Sequence, residues 1–159
     1  MNLEKILVTL VASLSQTLAV IIIITKLKND LNKKNILLFF VISWIYYIIV
    51  SLFIPNEVRF FTFILVISIL INYILGIRNK KSVIYSIFCI VLLSMSEIII
   101  SLLLVLFKIG FNNLENNLFL NLIINVFVSI LSIIIVYIPF IKRLLNKILL
   151  FSNSISLLP

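Results

Sequence analysis

Five apolar runs, each near the length of a membrane span, constrain this chain of 159 residues more than any other feature. A helix needs about 20 apolar residues to cross the hydrocarbon core. The segments 6–25, 36–54, 58–75, 83–107 and 118–141 each approach or exceed that length. Hydrophobic residues make up 64% of the chain and charged residues 11%, against about 25% charged in a soluble domain. The mean hydropathy is +1.35. A small soluble domain leaves much of its chain in contact with water, and this sequence has too few polar residues to build such a surface. The expected fold class is all-α: a polytopic membrane bundle of five transmembrane helices over residues 1–141, followed by a basic and apolar linker at 142–159.

Punctuation supports those bounds. Pro55 stops the second run and Gly76 follows the third as a helix C-terminal stop. Pro139 falls near the end of the fifth, where a kink costs little. At the start, Glu4 and Lys5 cancel and no small-x-small cleavage site follows. The first run therefore reads as a retained helix rather than a signal peptide.

The net charge of +8 acquires meaning from its placement. Lys26, Lys28, Lys33 and Lys34 lie in the first connection, and Arg78, Lys80 and Lys81 in the third. Lys142, Arg143 and Lys147 follow the fifth run, leaving only Lys5, Arg59 and Lys108 for the other side. The positive-inside rule puts the N-terminus outside and the C-terminus in the cytoplasm. The basic excess is then a topology signal, which points to a lipid bilayer and removes nucleic acid as a partner. After Ile141, basic residues alternate with Leu144, Leu145, Ile148, Leu149 and Leu150, the pattern of a short helix on the inner leaflet.

Several chemistries are excluded. There is no histidine, so His-based nucleophilic catalysis and His-ligated metal sites are absent. The lone Cys89 makes neither an internal disulfide nor a zinc site. Two separated glycines, Gly76 and Gly110, build no phosphate-cradling loop. No cofactor, metal or catalytic constellation is expected.

Each run carries polar residues at helical spacing. They are Thr9, Ser13 and Gln16 in the first; Ser43, Tyr47 and Ser51 in the second; Thr62, Ser68 and Asn72 in the third. The fourth has Ser94, Glu97 and Ser101, and the fifth Asn121, Asn125, Ser129 and Ser132. Residues three or four apart share a helix face, so each helix turns one polar stripe toward its neighbours. Ser, Thr and Asn in membrane helices commonly form interhelical hydrogen bonds worth roughly 0.6 kcal/mol each; the functional alternative is a polar interior open to water or ligand. Glu97 is the only ionisable residue deep in a run, where a charge costs roughly 3 kcal/mol on insertion scales. Either it serves a function or it is a neutral acid bonded within a polar core made of Gln16, Asn72, Asn121 and Asn125. Trp44, Tyr46 and Tyr47 lie mid-run and read as packing residues, whereas Tyr137 suits an interfacial belt.

The layout resembles a known family. The Lys-rich first inner connection, the segment Asn79, Lys80, Lys81, Ser82, Val83, Ile84 leading into the fourth run, and the mid-membrane pair Ser96 and Glu97 carry the resemblance. So does the linker Ile141, Lys142, Arg143, Leu144, Leu145, Asn146, Lys147, Ile148. These are similar to the membrane sensor region of AgrC-type (GHKL family) peptide-sensing histidine kinases of low-GC Gram-positive bacteria. The resemblance implies a quorum-sensing two-component sensor lacking its kinase, with an extracellular peptide ligand and either a homodimer or a separate kinase as partner. It places the ligand at the extracellular connections, near Glu57, Arg59, Lys108 and Glu115, and carries over no individual contact residue. Two other classes compete. One is a small transport or bacteriocin-immunity protein, for which the sparse alanines Ala12 and Ala19 disfavour an importer subunit. The other is an intramembrane enzyme, which one Glu and no His disfavour.

Overall fold

A computed structural model describes residues 3–28, 30–106 and 117–155. These fold into six helices, with no strand among them: α1 (Leu3–Leu27), α2 (Lys33–Phe53), α3 (Asn56–Tyr73), α4 (Asn79–Leu106), α5 (Leu118–Val136) and α6 (Pro139–Ile155). Four of them, α1, α2, α4 and α5, are long and apolar enough to cross a membrane. α3 falls short, with an apolar stretch of Val58–Tyr73. Its 18 residues give a rod of roughly 27 Å, just under the ~30 Å hydrocarbon core.

Local chemistry sets the helix ends. Asn32 caps α2 by accepting the Lys34 N–H at 3.0 Å, and Asn117 caps α5 by accepting the Leu120 N–H at 3.1 Å. Pro55 cannot donate to a continuing helix, so α2 stops and α3 restarts from the Pro55 carbonyl. Past α3 the chain turns through Gly76 at a φ of +63°, a conformation that side chains disfavour. The fifth run differs from its expected extent. The apolar run reaches residue 141 past Pro139, but α5 ends at Val136 and Pro139 opens α6. Proline disfavours a helical residue before it but suits the first position of a helix, so it starts an element here rather than kinking one.

The first five helices close a ring. α1 packs on α2, α2 on α3, α3 on α4, α4 on α5, and α5 returns to α1, which also touches α4. Consecutive helices alternate in direction, so the ring has two distinct ends. One carries the α2–α3 turn and the start of α5. The other carries Lys26, Lys28, Lys33, Lys34, Lys80 and Lys81 and is called the lysine-rich end below.

Packing differs between the halves. Toward the lysine-rich end the interior is filled by Ala19, Val20, Ile23, Ile24, Phe39, Ile67, Ile71 and Cys89, all at most 1% exposed. Hydroxyls buried there return to their own helices, as Ser43 Oγ donates to the Phe39 carbonyl at 2.6 Å and Thr17 Oγ1 to the Ser13 carbonyl at 2.8 Å. Ser68 and Ser82 bridge α3 and α4 at 3.3 Å. α6 underlies this end. Its Leu145 is 1% exposed within the same core, and Ile141 and Leu149, one turn away on either side, pack against it. Arg143 and Lys147 are exposed on α6. Around the ring, Leu37, Ile45, Phe61, Leu65, Leu102 and Phe127 are exposed, leaving an apolar outer surface of the kind a membrane solvates.

Candidate functional site

The opposite half of the ring is hollow. A cavity of about 640 Å³ lies toward the end away from the lysines, and all five helices line it. That volume falls within the ~300–1,000 Å³ of small-molecule sites.

Its walls follow from helical spacing. From α1 come Thr9, Ser13 and Gln16, and from α2 Tyr47 and Ser51. α4 supplies Ile90, Leu93, Ser94 and Glu97, which recur at steps of three and four and so share one face. α5 supplies Asn121 and Asn125. Four polar stripes thus turn inward at this end.

Hydrogen bonds tie the walls together. Gln16 Nε2 reaches Asn125 Oδ1 at 3.4 Å, and Asn125 Nδ2 donates to Asn121 Oδ1 at 2.7 Å and to its carbonyl at 2.9 Å. Ser129 Oγ, one turn beyond Asn125 on α5, donates to Ser15 Oγ, the neighbour of Gln16 on α1, at 3.2 Å. Trp44 Nε1–H donates to Ser13 Oγ at 3.1 Å and bonds the Leu10 carbonyl at 3.4 Å, fastening α2 to α1. Trp44 therefore does more than fill space.

α3 breaks the pattern. Its stripe of Thr62, Ser68 and Asn72 does not face the cavity; Arg59, Phe60 and Phe63 do. Arg59 Nε donates to the Ile54 carbonyl at 2.7 Å and its Nη2 to the Ser51 carbonyl at 2.9 Å. The guanidinium thereby caps the C-terminal end of α2, where helix carbonyls are partly negative. Phe63 packs on Tyr47 with ring centroids 4.4 Å apart, closing the α2–α3 seam.

Glu97 behaves differently from Arg59. It lines the cavity, is exposed to it, and forms no hydrogen bond or ion pair among the described residues. The fully buried neighbour Ser96 instead bonds its own helix at the Leu92 carbonyl, 2.8 Å away.

The expected residues therefore separate. Gln16, Glu97, Asn121 and Asn125 meet at one cavity, joined by Arg59 from the expected ligand set. Asn72 is excluded: it does not line the cavity and lies one turn beyond Ser68 toward the lysine-rich end. Glu57 begins α3, but its side chain lies outside the described ones, and Lys108 and Glu115 lie outside the described residues. Sequence reasoning missed the wall of Phe60, Phe63 and Tyr47 as a cavity feature. Its signal was the four-residue step from Arg59 to Phe63, which sets a cation and an aromatic ring on one face. No group of acids and cysteine among the described residues can hold a metal ion.

Fold and site together define an all-helical protein with membrane-length helices around a polar cavity. Compared with known proteins, the chain matches no family model, no curated protein and no solved structure.

Proposed function

We propose that the chain is a membrane sensor module with five spans, an external N-terminus and a cytoplasmic C-terminus, whose cavity receives an extracellular peptide. One observation carries this reading: the cavity lies in the half opposite the lysine-rich connections. By the positive-inside rule that half faces outward. α3, though its apolar stretch is shorter, is read as the fifth span because it links the cavity end of α2 to the lysine-rich start of α4. In this reading the module belongs to a peptide-pheromone two-component system of a Gram-positive cytoplasmic membrane, as the ligand-sensing region of a histidine kinase. A ligand that prefers one packing of the ring shifts the population toward it, and α6, docked beneath the ring through Leu145, passes that change to a kinase partner or a second copy.

A single labelling experiment tests orientation and ligand together. Ser94→Cys introduces a thiol on the cavity wall, while native Cys89 is fully buried and serves as the background. A membrane-impermeant maleimide should label the variant in intact cells, and the cognate peptide should slow the labelling. Labelling only after permeabilisation would overturn the orientation. Unchanged labelling across peptides secreted by the same strain would overturn the peptide reading.

A further inference from the structure

We propose that this cavity recognises an ammonium group, held by the Glu97 carboxylate against the aromatic wall of Tyr47, Phe60 and Phe63. The inference rests on the cavity being a ligand site and names the chemistry that site takes.

Three observations lead to it. First, the two charges in the cavity are in different states of use. Arg59 already spends donors on the Ser51 and Ile54 carbonyls, so its charge is anchored to the end of α2. Glu97 has no partner among the described residues, and a carboxylate within a bundle gains most from a cation brought to it. Second, α3 and α4 pack side by side, and both face the cavity. Phe60 and Phe63 on α3, with Tyr47 of α2 packed on Phe63, thus adjoin the carboxylate on α4 across one space. Ring faces attract cations, more strongly when water is excluded. Third, the space is far larger than an ion. About 640 Å³ suits an organic ligand, and Glu97 is the single carboxylate among the lining residues, fewer than hard divalent ions usually gather. A cation carried on an apolar or aromatic scaffold satisfies charge, rings and volume together.

The chain has a single tryptophan, Trp44, and its indole N–H bonds the cavity residue Ser13. Its fluorescence therefore reports on the cavity. The test uses the full chain in lipid nanodiscs, titrated with phenethylammonium, with neutral phenethyl alcohol and anionic phenylacetate as isosteres. Trp44 emission should change saturably with the ammonium, with at least tenfold weaker responses to the alcohol and the anion. Glu97→Gln should weaken ammonium binding about 10-fold or more, the scale of a lost charge-assisted contact, while leaving the alcohol response unchanged; Glu97→Asp should restore the preference. The isostere comparison in the unaltered protein stands even if a variant fails to fold. Equal binding of ammonium and alcohol, or an ammonium preference that persists in Glu97→Gln, would overturn the proposal. A short peptide amide with a free N-terminus, compared with its N-acetylated form, distinguishes the sources of the ammonium. Competition by the free-amine form alone assigns the site to peptide amines, and no competition by either assigns it to small free amines. Labelling at position 94 reads orientation and not charge, so failure of the sensor reading and failure of the ammonium assignment give separate results.

Discussion

The two halves of the ring use similar residues to opposite ends. Both halves of α1 carry small and hydroxylated side chains at helical spacing. Near the lysine-rich end Thr17 and Ala19 are fully buried, and α1 joins a core that holds large apolar side chains such as Phe39 and Ile71. At the other end Thr9, Ser13 and Gln16 face open space. The difference lies in what opposes them. On the packed half α2, α3 and α4 present Phe39, Ile67, Ile71 and Cys89, which fill the interior. On the hollow half the same helices present Ser51, Arg59 and Glu97, polar groups that leave the space between them open. A membrane bundle lacks a hydrophobic drive between its helices and is held by close packing and hydrogen bonds. Stability should therefore concentrate in the packed half, leaving the hollow half free to bind.

That division can be broken or sharpened by substitution, with the largest effect in the packed half. Phe39→Ala removes a fully buried ring and should cost about 3–5 kcal/mol, read as a lower unfolding midpoint in mild detergent. Phe60→Ala, at 44% exposed on the cavity rim, should cost far less by the same assay. Comparable losses from the two would erase the distinction. Gly76→Ala meets no steric neighbour, but its φ of +63° should cost about 1–2 kcal/mol. A change below the error of the assay would show that the α3–α4 connection relaxes to another conformation.

Smaller effects are expected across the cavity. A double-mutant cycle on Gln16→Ala and Asn125→Ala should give a coupling of roughly 0.6 kcal/mol, the usual size for polar pairs in membrane helices. Zero coupling would mean that the 3.4 Å contact adds nothing to the α1–α5 junction. The smallest effect belongs to Glu97→Gln. With no protein partner to lose, its unfolding midpoint should stay within about 0.5 kcal/mol of the parent. A loss as large as that of Glu97→Leu would place Glu97 among the structural groups after all.

Much of the site was visible in the stripes, and its omissions have physical causes. Helical spacing assigns Thr9, Ser13 and Gln16 to one face, and likewise Asn121 and Asn125, because that spacing is a property of each helix alone. It does not say how far a helix is rotated in the ring. α3 illustrates the gap: Thr62, Ser68 and Asn72 form a regular stripe, yet Arg59 and Phe63 face the cavity. The bonds of Arg59 to the end of α2 and the stacking of Phe63 on Tyr47 set that rotation. Neither contact can be read from the periodicity of α3.

The sequence by itself determined the all-helical class, the apolar runs and most of their ends, because hydropathy, proline, glycine and capping Asn act locally. It also determined the sorting of basic residues, since charges near span ends are strung along the chain in order. Only the tertiary structure decided which polar residues meet. Gln16 and Asn125, 109 positions apart, join because α5 closes the ring onto α1, while Asn72 stands apart at the other depth. It also decided that Glu97 shares a cavity with Gln16, Asn121 and Asn125 while those amides bond to one another rather than to it. Depth along each helix and rotation about its axis are collective outcomes of packing, and no single helix encodes them.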